Sequence, residues 1–243
     1  MSALLTFRGQ ATWQRNCLLG VVALLVAGSL TDAVQAQRGG GGGRRGGFGV
    51  TSYVQLTTLA EVRKELALTD AQEAKAKAIS DALAEERSAL GGRGGGGGGG
   101  DFAARAEKLN KLNSDAAEKL MAAIDAKQWD RLTEIFVQVN GATALTDAHI
   151  AKKLGVTEEQ TKKLTDVTTA ARDDLRAAFQ DLQGASAEER TEKMAKLNQA
   201  RDEKLLAVLD AGQKEKFAGM KGKTLEIDMS QLRGFGRGGR GGN

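Results

Sequence analysis

Two short phrases recur in the same order along this chain, and their repetition restricts its fold more than any other feature. LTDAQ at 68–72 returns as VTEEQ at 156–160, and IDAKQ at 124–128 returns as LDAGQ at 209–213. Each phrase places Thr or Asp three positions before Gln. Thr or Asp at a helix N-cap accepts a hydrogen bond from a free N–H of the first turn, and Gln at the third helical position reaches back to the cap. Each phrase therefore predicts a helix start, and the chain looks like one helical unit written twice.

The N-terminal residues 1–36 have the pattern of a secretory signal peptide. Arg8 and Arg15 precede an apolar run at 17–30, and small residues come just before Gln37, which would begin the mature chain. The run is shorter than the ~20 residues that a membrane span needs. We therefore expect a cleaved signal rather than an anchor, no transmembrane segment after cleavage, and a secreted protein located in a periplasm. The single cysteine lies in this segment, so the mature chain has no disulfide.

Three Gly/Arg-rich segments carry the basic charge of the chain. They are residues 37–49, 91–100 and 233–243, and we expect them to be disordered. The first lies in a disordered N-terminal arm at 37–51, the second is a loop, and the third lies in a C-terminal tail at 223–243. Of 35 basic and 31 acidic residues, 33 and 30 remain after the signal, a net charge of +3. Without the seven arginines of the Gly/Arg segments, the helical body carries a charge of −4. The molecule is predicted to be a mildly acidic body with basic arms.

The repeated phrases divide the body into two units, 52–141 and 142–222, with four expected helices each. Apolar residues recur at steps of three and four and form one stripe on otherwise charged helices. Proline is absent and aromatic residues make up only 4% of the chain, which suits slender hairpins better than a thick core. The predicted fold class is all-α, with two tandem helical-hairpin units. The stripes contain Leu59, Val62, Leu66, Ala76, Ile79, Leu83, Leu109, Leu112, Ala116, Leu120, Ile150, Leu154, Leu164, Val167, Ala171, Leu175, Ala178, Leu182, Met194, Leu197, Leu205 and Leu209.

Two further helix starts are predicted outside the repeated phrases. Ser186 with Glu189 forms the pattern of a capping box, and Leu145 before a cap at Thr146 is placed to form a hydrophobic staple with Ile150. Between Thr224 and Leu232 the sequence alternates weakly, and an extended segment is expected there.

With a signal and two Leu-Thr-x-x-Gln-like phrases, the chain resembles the Spy/CpxP-like family of periplasmic proteins. The residues that carry the resemblance are Leu68, Thr69 and Gln72, with Val156, Thr157 and Gln160 as a slightly degenerate second copy. The resemblance implies curved helical hairpins that pair into a cradle. It also implies one of three roles: an ATP-independent chaperone, an inhibitory partner of an envelope-stress sensor, or a metal-responsive protein. The acidic body and the Gly/Arg arms depart from the family's pattern.

Catalysis and tight metal binding are disfavoured by the residues present. His149 is the only histidine and begins a predicted helix, with no Cys cluster to share a zinc ion. Paired carboxylates such as Asp173-Asp174 and Glu188-Glu189 are interpreted as solvated helix faces, and Trp129 is expected to pack locally. We therefore predict that the chain is not an enzyme and has no cofactor, no bound metal and no small-molecule substrate.

Two kinds of binding remain open, and a metal-responsive role is a third possibility. In the first, unfolded or envelope proteins bind an apolar helical face that includes Leu164, Val167 and Leu175. In the second, the arms bind a polyanion (nucleic acid, anionic lipid or polysaccharide), because guanidinium groups contact phosphates. The arm residues proposed for this role are Arg38, Arg44, Arg45, Arg233, Arg237 and Arg240.

Overall fold

Helices make up most of the described chain. The structure is a computed structural model that describes residues 50–90, 102–229 and 231, with the side chains of 102–106 left out. Within these residues there are nine α-helices, one 3-10 helix and no strand. In chain order they are α1 (Tyr53–Leu56), α2 (Ala60–Glu65), α3 (Asp70–Leu90), α4 (Phe102–Ala123), α5 (Ala126–Asn140), the 3-10 helix η1 (Gly141–Thr146), α6 (Ala148–Leu154), α7 (Glu158–Asp181), α8 (Ala187–Ala207) and α9 (Ala211–Gly219).

Local capping residues determine where most of these helices begin. Asp125, Thr157 and Asp210 each accept a hydrogen bond from the backbone N–H three residues on, and the Gln at that position accepts one from the cap. The predicted capping box at Ser186 is present in the same form. Because a cap acts within four residues, the sequence predicted these four helix starts correctly.

The beginnings of α1 and α6 differ from the expectation. Helix α1 was not predicted, although Ser52 and Gln55 form a capping box of the same pattern. Helix α6 is capped by Asp147 rather than Thr146, because the Asp147 carboxylate accepts bonds from two free N–H groups of the first turn. Leu145 is therefore two positions before the cap, whereas a staple residue is one position before it, and Leu145 is buried within η1.

The core is concentrated at one end of the helices, around α5. Every expected stripe position of α2 is buried there, and α5 buries six residues. The largest fully buried side chains come from α1, α2, α4, α5, η1 and α6, with one from α8: Tyr53, Val54, Leu56, Leu59, Val62, Leu120, Leu132, Ile135, Phe136, Leu145, Ile150 and Leu205. The aromatic rings are few, but Tyr53 stacks on Phe136 with a centroid distance of 4.0 Å.

The segment between α5 and α6 is buried and makes contacts on several sides. Ala142, Ala144 and Leu145 of η1 are each at most 6% exposed. The segment contacts α5, α6, α7 and α8. The described residues all belong to one compact unit, Arg44–Asn243. The predicted boundary between the two units, at 141/142, lies at the start of this buried segment.

After α9 the chain returns to α5 without forming a strand. The Gln138 amide donates to the Lys221 and Lys223 carbonyls and accepts from the Leu225 N–H at 3.0 Å. Gly222 allows this approach, because it has a φ of +56° and any Cβ would lie 2.1 Å from a carboxylate oxygen of Glu134. The first residues of the predicted C-terminal tail are therefore part of the packed structure. None of the described helices is long and apolar enough to cross a membrane.

Candidate functional site: paired capping boxes and an apolar hairpin

The first copy of the repeated phrase is engaged in hydrogen bonds at the start of α3. The Thr69 hydroxyl accepts from the Gln72 N–H at 3.3 Å, and the Gln72 side-chain oxygen accepts from the Thr69 N–H at 3.0 Å. Leu68 is half-buried against the core. The contacts of Thr69 and Gln72 are thus those of a helix cap, which is the role predicted for them.

The same Gln72 also pairs with the glutamine of the other phrase. Its side-chain nitrogen donates to the Gln128 side-chain oxygen at 2.8 Å, and the Gln128 nitrogen donates back at 3.2 Å. Gln128 also donates to the Leu66 carbonyl at 3.1 Å. Two capping boxes that are 56 positions apart are thereby joined through their third residues, and the start of α3 is held against the start of α5.

The second half of the chain repeats this arrangement. Gln160 and Gln213 exchange amide bonds of 2.7 and 3.0 Å. Gln160 donates in addition to the Val208 carbonyl, and Gln213 to the Gly155 carbonyl. Sequence reasoning recognised the four caps but missed both glutamine pairs. The signal for the pairs was present, since the two phrases recur together and both end in Gln.

The turn before each pair is also repeated. The N–H groups of Ala67 and Leu68 bond back to α2 in the Schellman pattern, and those of Gly155 and Val156 bond back to α6 in the same way. Both turns have a left-handed residue, Ala67 with a φ of 47° and Gly155 with a φ of 68°. Glycine accepts this conformation without strain, whereas alanine does not.

The histidine lies in a partly buried aromatic cluster between α5 and α6. The Trp129 indole N–H donates to His149 Nε2 at 3.2 Å, and the rings meet edge to face at 5.2 Å. Trp129 also lies 4.8 Å from the Tyr53 ring, whose hydroxyl donates to Asp147 at 3.2 Å. Burial and the nearby Asp147 charge raise the pKa of Tyr53, so this hydroxyl stays protonated. Trp129 is 6% exposed and packs within the chain, but against Tyr53 of α1 and His149 of α6 rather than only against its neighbours in sequence.

The pKa of His149 is lowered from its ordinary value of 6.5. Burial is the largest cause, followed by the positive charge of Lys153, while Asp147 and Asp130 act in the opposite direction. At neutral pH the ring is therefore uncharged and can accept the bond from Trp129. Nothing in this cluster places a nucleophile beside the histidine.

Of the three residues predicted to form a partner-binding face, one lies in the core and two lie nearer the surface. Leu164 is only 3% exposed and belongs to the core, so a partner could not reach it in this structure. Val167 and Leu175 are half-buried along α7. Further along the same helix, Phe179 is 53% exposed and is one of two large apolar side chains that are exposed among the described residues; Met121 on α4, at 44%, is the other.

Several predicted features lie outside the described residues. These are the signal peptide at 1–36, the glycine loop at 91–100, and all six arm arginines proposed for polyanion binding, which are Arg38, Arg44, Arg45, Arg233, Arg237 and Arg240. The signal peptide, the disorder of the glycine loop and polyanion binding by the arm arginines remain predictions.

The described part of the chain has an open surface groove of about 520 Å³ on α8, lined in part by Glu188 and Glu192. Within residues 50–90, 102–229 and 231, no three His, Cys, Asp or Glu side chains are grouped so that they could bind a metal ion. A cavity of about 20 Å³ between α3 and α4, lined in part by Leu83 and Ala116, has room for roughly one water molecule.

Comparisons with known proteins found no relative. No family model, no curated protein and no solved structure matches the chain.

Proposed function

We propose that the chain is a non-enzymatic protein of the bacterial cell envelope, of the Spy/CpxP-like type, which binds unfolded or partner proteins through its helical surface. In this proposal residues 1–36 direct secretion to the periplasm, and the body consists of two tandem helical-hairpin units. The paired capping boxes support the tandem interpretation, because the same four-residue pattern, the same Schellman turn and the same glutamine exchange occur in both halves.

The observation that carries the binding proposal is the uneven burial of α7. Its first turns contribute Leu164 to the core, whereas Leu175 is half-buried and Phe179 is mostly exposed further along. An exposed apolar side chain can contribute to binding an apolar segment of another protein, because its burial removes apolar surface from water. We therefore place the binding surface at the C-terminal part of α7, defined here as residues 175–182, rather than at Leu164.

A polyanion-binding role of the arms is the second candidate. The specific observation in its favour is the partition of charge, with seven arginines and no acidic residue in the segments 37–49, 91–100 and 233–243. This binding would weaken steeply with salt because each phosphate contact releases counterions, whereas apolar binding would change little.

The test is suppression of aggregation of a chemically denatured enzyme by the purified chain. Phe179→Ser should reduce suppression, while Met121→Ser should not. The second variant is a matched control, because it removes the other large apolar side chain exposed in the described residues, from α4. Circular dichroism of both variants should show unchanged helix content, since neither side chain is buried.

A third variant separates the two candidates. Deleting 37–49 and 233–243 removes six of the seven Gly/Arg-segment arginines. We expect this variant to keep its suppression of aggregation and to lose salt-sensitive binding to an anionic polymer such as heparin. Loss of suppression in the deletion variant, with Phe179→Ser fully active, would transfer the function to the arms and overturn the proposal.

A further inference from the structure

The contact between α5 and α6 depends on an uncharged histidine. His149 Nε2 accepts the Trp129 indole N–H at 3.2 Å, and only a deprotonated ring nitrogen can accept a hydrogen bond. A protonated ring would present an N–H to the indole N–H. The bond would be lost, and a positive charge would lie in a partly buried position beside a tryptophan that is 6% exposed.

We propose that the His149–Trp129 contact makes the junction formed by η1 and α6 sensitive to acid. Protonation of His149 releases α6 from Trp129 of α5. The junction also contacts α7, α8 and α9, so its loosening weakens the attachment of the second half of the chain to α5. This inference does not depend on the proposed function.

Some charged groups around the histidine favour the protonated ring and others disfavour it, so together they do not remove the sensitivity to acid. On α6 itself, Lys152 and Lys153 disfavour the protonated ring, while the capping Asp147 favours it. From α5, Asp130 also favours it, but this carboxylate is paired with Lys153 at 2.8 Å. Asp147 is similarly engaged, because it accepts bonds from the Tyr53 hydroxyl and from two N–H groups of α6. Burial of the ring then decides the direction.

The direction of the pH dependence follows from linkage. The folded-state pKa of His149 lies below the unfolded value of 6.5, so the unfolded chain binds the proton more readily. The stabilising contribution is therefore complete above pH 6.5 and is lost as the pH falls below that value towards the lowered pKa. The chain contains one histidine, so no other side chain with an ordinary pKa titrates between pH 5.5 and 7.5.

The experiment uses the full chain without a polyhistidine tag. An NMR titration of the imidazole needs no assignment, because there is one histidine. We expect a pKa below the ordinary value, and a rise towards that value in Trp129→Phe, which removes the indole donor. A pKa at or above the ordinary value in the unaltered chain, or no change in Trp129→Phe, would overturn the proposal.

A second measurement guards against a variant that folds poorly. His149→Gln supplies a side-chain oxygen that accepts a bond at any pH. In urea unfolding followed by circular dichroism, the urea concentration at the midpoint should be lower at pH 5.5 than at pH 7.5 for the unaltered chain. For His149→Gln the two midpoints should be equal. Equal shifts in both chains would show that the histidine is not responsible. Amide exchange should in addition quicken in η1 and α6 at pH 5.5, and unchanged protection there would count against the proposal.

Discussion

Each half of the molecule contains a glutamine pair that links two helix starts, called the joint here. The two halves differ in the side chains that pack around this joint. In each half a short helix ends in a left-handed residue, a capping box follows, and a glutamine pair joins two helix starts. Around the joint of the first half lie fully buried rings, Tyr53 and Phe136. In the second half, the long α7–α8 hairpin buries Leu164 and Leu205 near the joint, but further along it buries only Ala171 and Ala178 and leaves Leu175 and Leu197 half-buried. Local sequence can thus reproduce a joint without reproducing the core beside it.

The largest expected loss of stability tests the difference in packing between the two halves. Phe136→Ala should lower the free energy of unfolding by about 4 kcal/mol, because it removes a fully buried ring that stacks on Tyr53. Leu175→Ala in the second half should cost about 1 kcal/mol, since this side chain is already half in water. Urea unfolding of both variants measures the difference. Equal losses would mean that the α7–α8 hairpin is as tightly packed as the region around α5.

The glutamine pairs allow the joints themselves to be compared. Gln128→Ala and Gln213→Ala should each cost about 1–2 kcal/mol, because each leaves partly buried amide and carbonyl partners without a bond. Double-mutant cycles with Gln72→Ala and Gln160→Ala should give similar coupling energies in the two halves. A cycle that shows coupling in one half alone would break the equivalence of the joints.

The left-handed residue differs between the halves, and this difference can be reversed. Ala67→Gly should stabilise the chain by about 1 kcal/mol, because glycine has no Cβ strain at a φ of 47°. Gly155→Ala should destabilise it by a similar amount. Thermal unfolding of the two single variants should show shifts of opposite sign. Shifts of the same sign would contradict the assignment of the two turns to one motif.

The smallest expected effect concerns the two threonine caps. Thr69→Ala and Thr157→Ala should each cost about 1 kcal/mol, since both hydroxyls accept from the N–H of the glutamine three residues on. Thr→Ser at the same positions keeps the acceptor and serves as the control. If aggregation suppression disappeared in Thr157→Ala at an unchanged unfolding midpoint, the phrase would have a direct binding role.

Features that depend on contacts between residues close in sequence were predicted correctly, whereas features that depend on distant partners were not. The capping boxes of Asp125, Thr157, Ser186 and Asp210 were predictable, because donor and acceptor lie within four residues. The helix order and the all-helical class followed from periodicity. The glutamine pairs were not predicted, because a repeated phrase does not show which of its residues meet across more than 50 positions.

Burial was harder to predict than helix boundaries. An apolar stripe shows which face of a helix is covered, but not how deeply each of its residues lies. The same stripe on α7 therefore contains a core residue, Leu164, and a half-exposed one, Leu175. The buried junction η1 was missed for a related reason: a short run of Gly, Ala and Thr has no periodicity from which its four packing partners could be inferred.

The last turn of α5 holds both flanks of the described structure. Asn140 exchanges two bonds with the Thr51 backbone, at 2.7 and 3.0 Å, and Gln138 holds the segment from Lys221 to Leu225. Thr51 and Leu225, near the two ends of the described chain, are therefore held by one turn of the same helix. A circular permutant that joins residue 50 to residue 229 by a short linker and opens within 91–100 should therefore keep the contacts between the helices. The order in which the helices are synthesised is then separable from the order in which they pack.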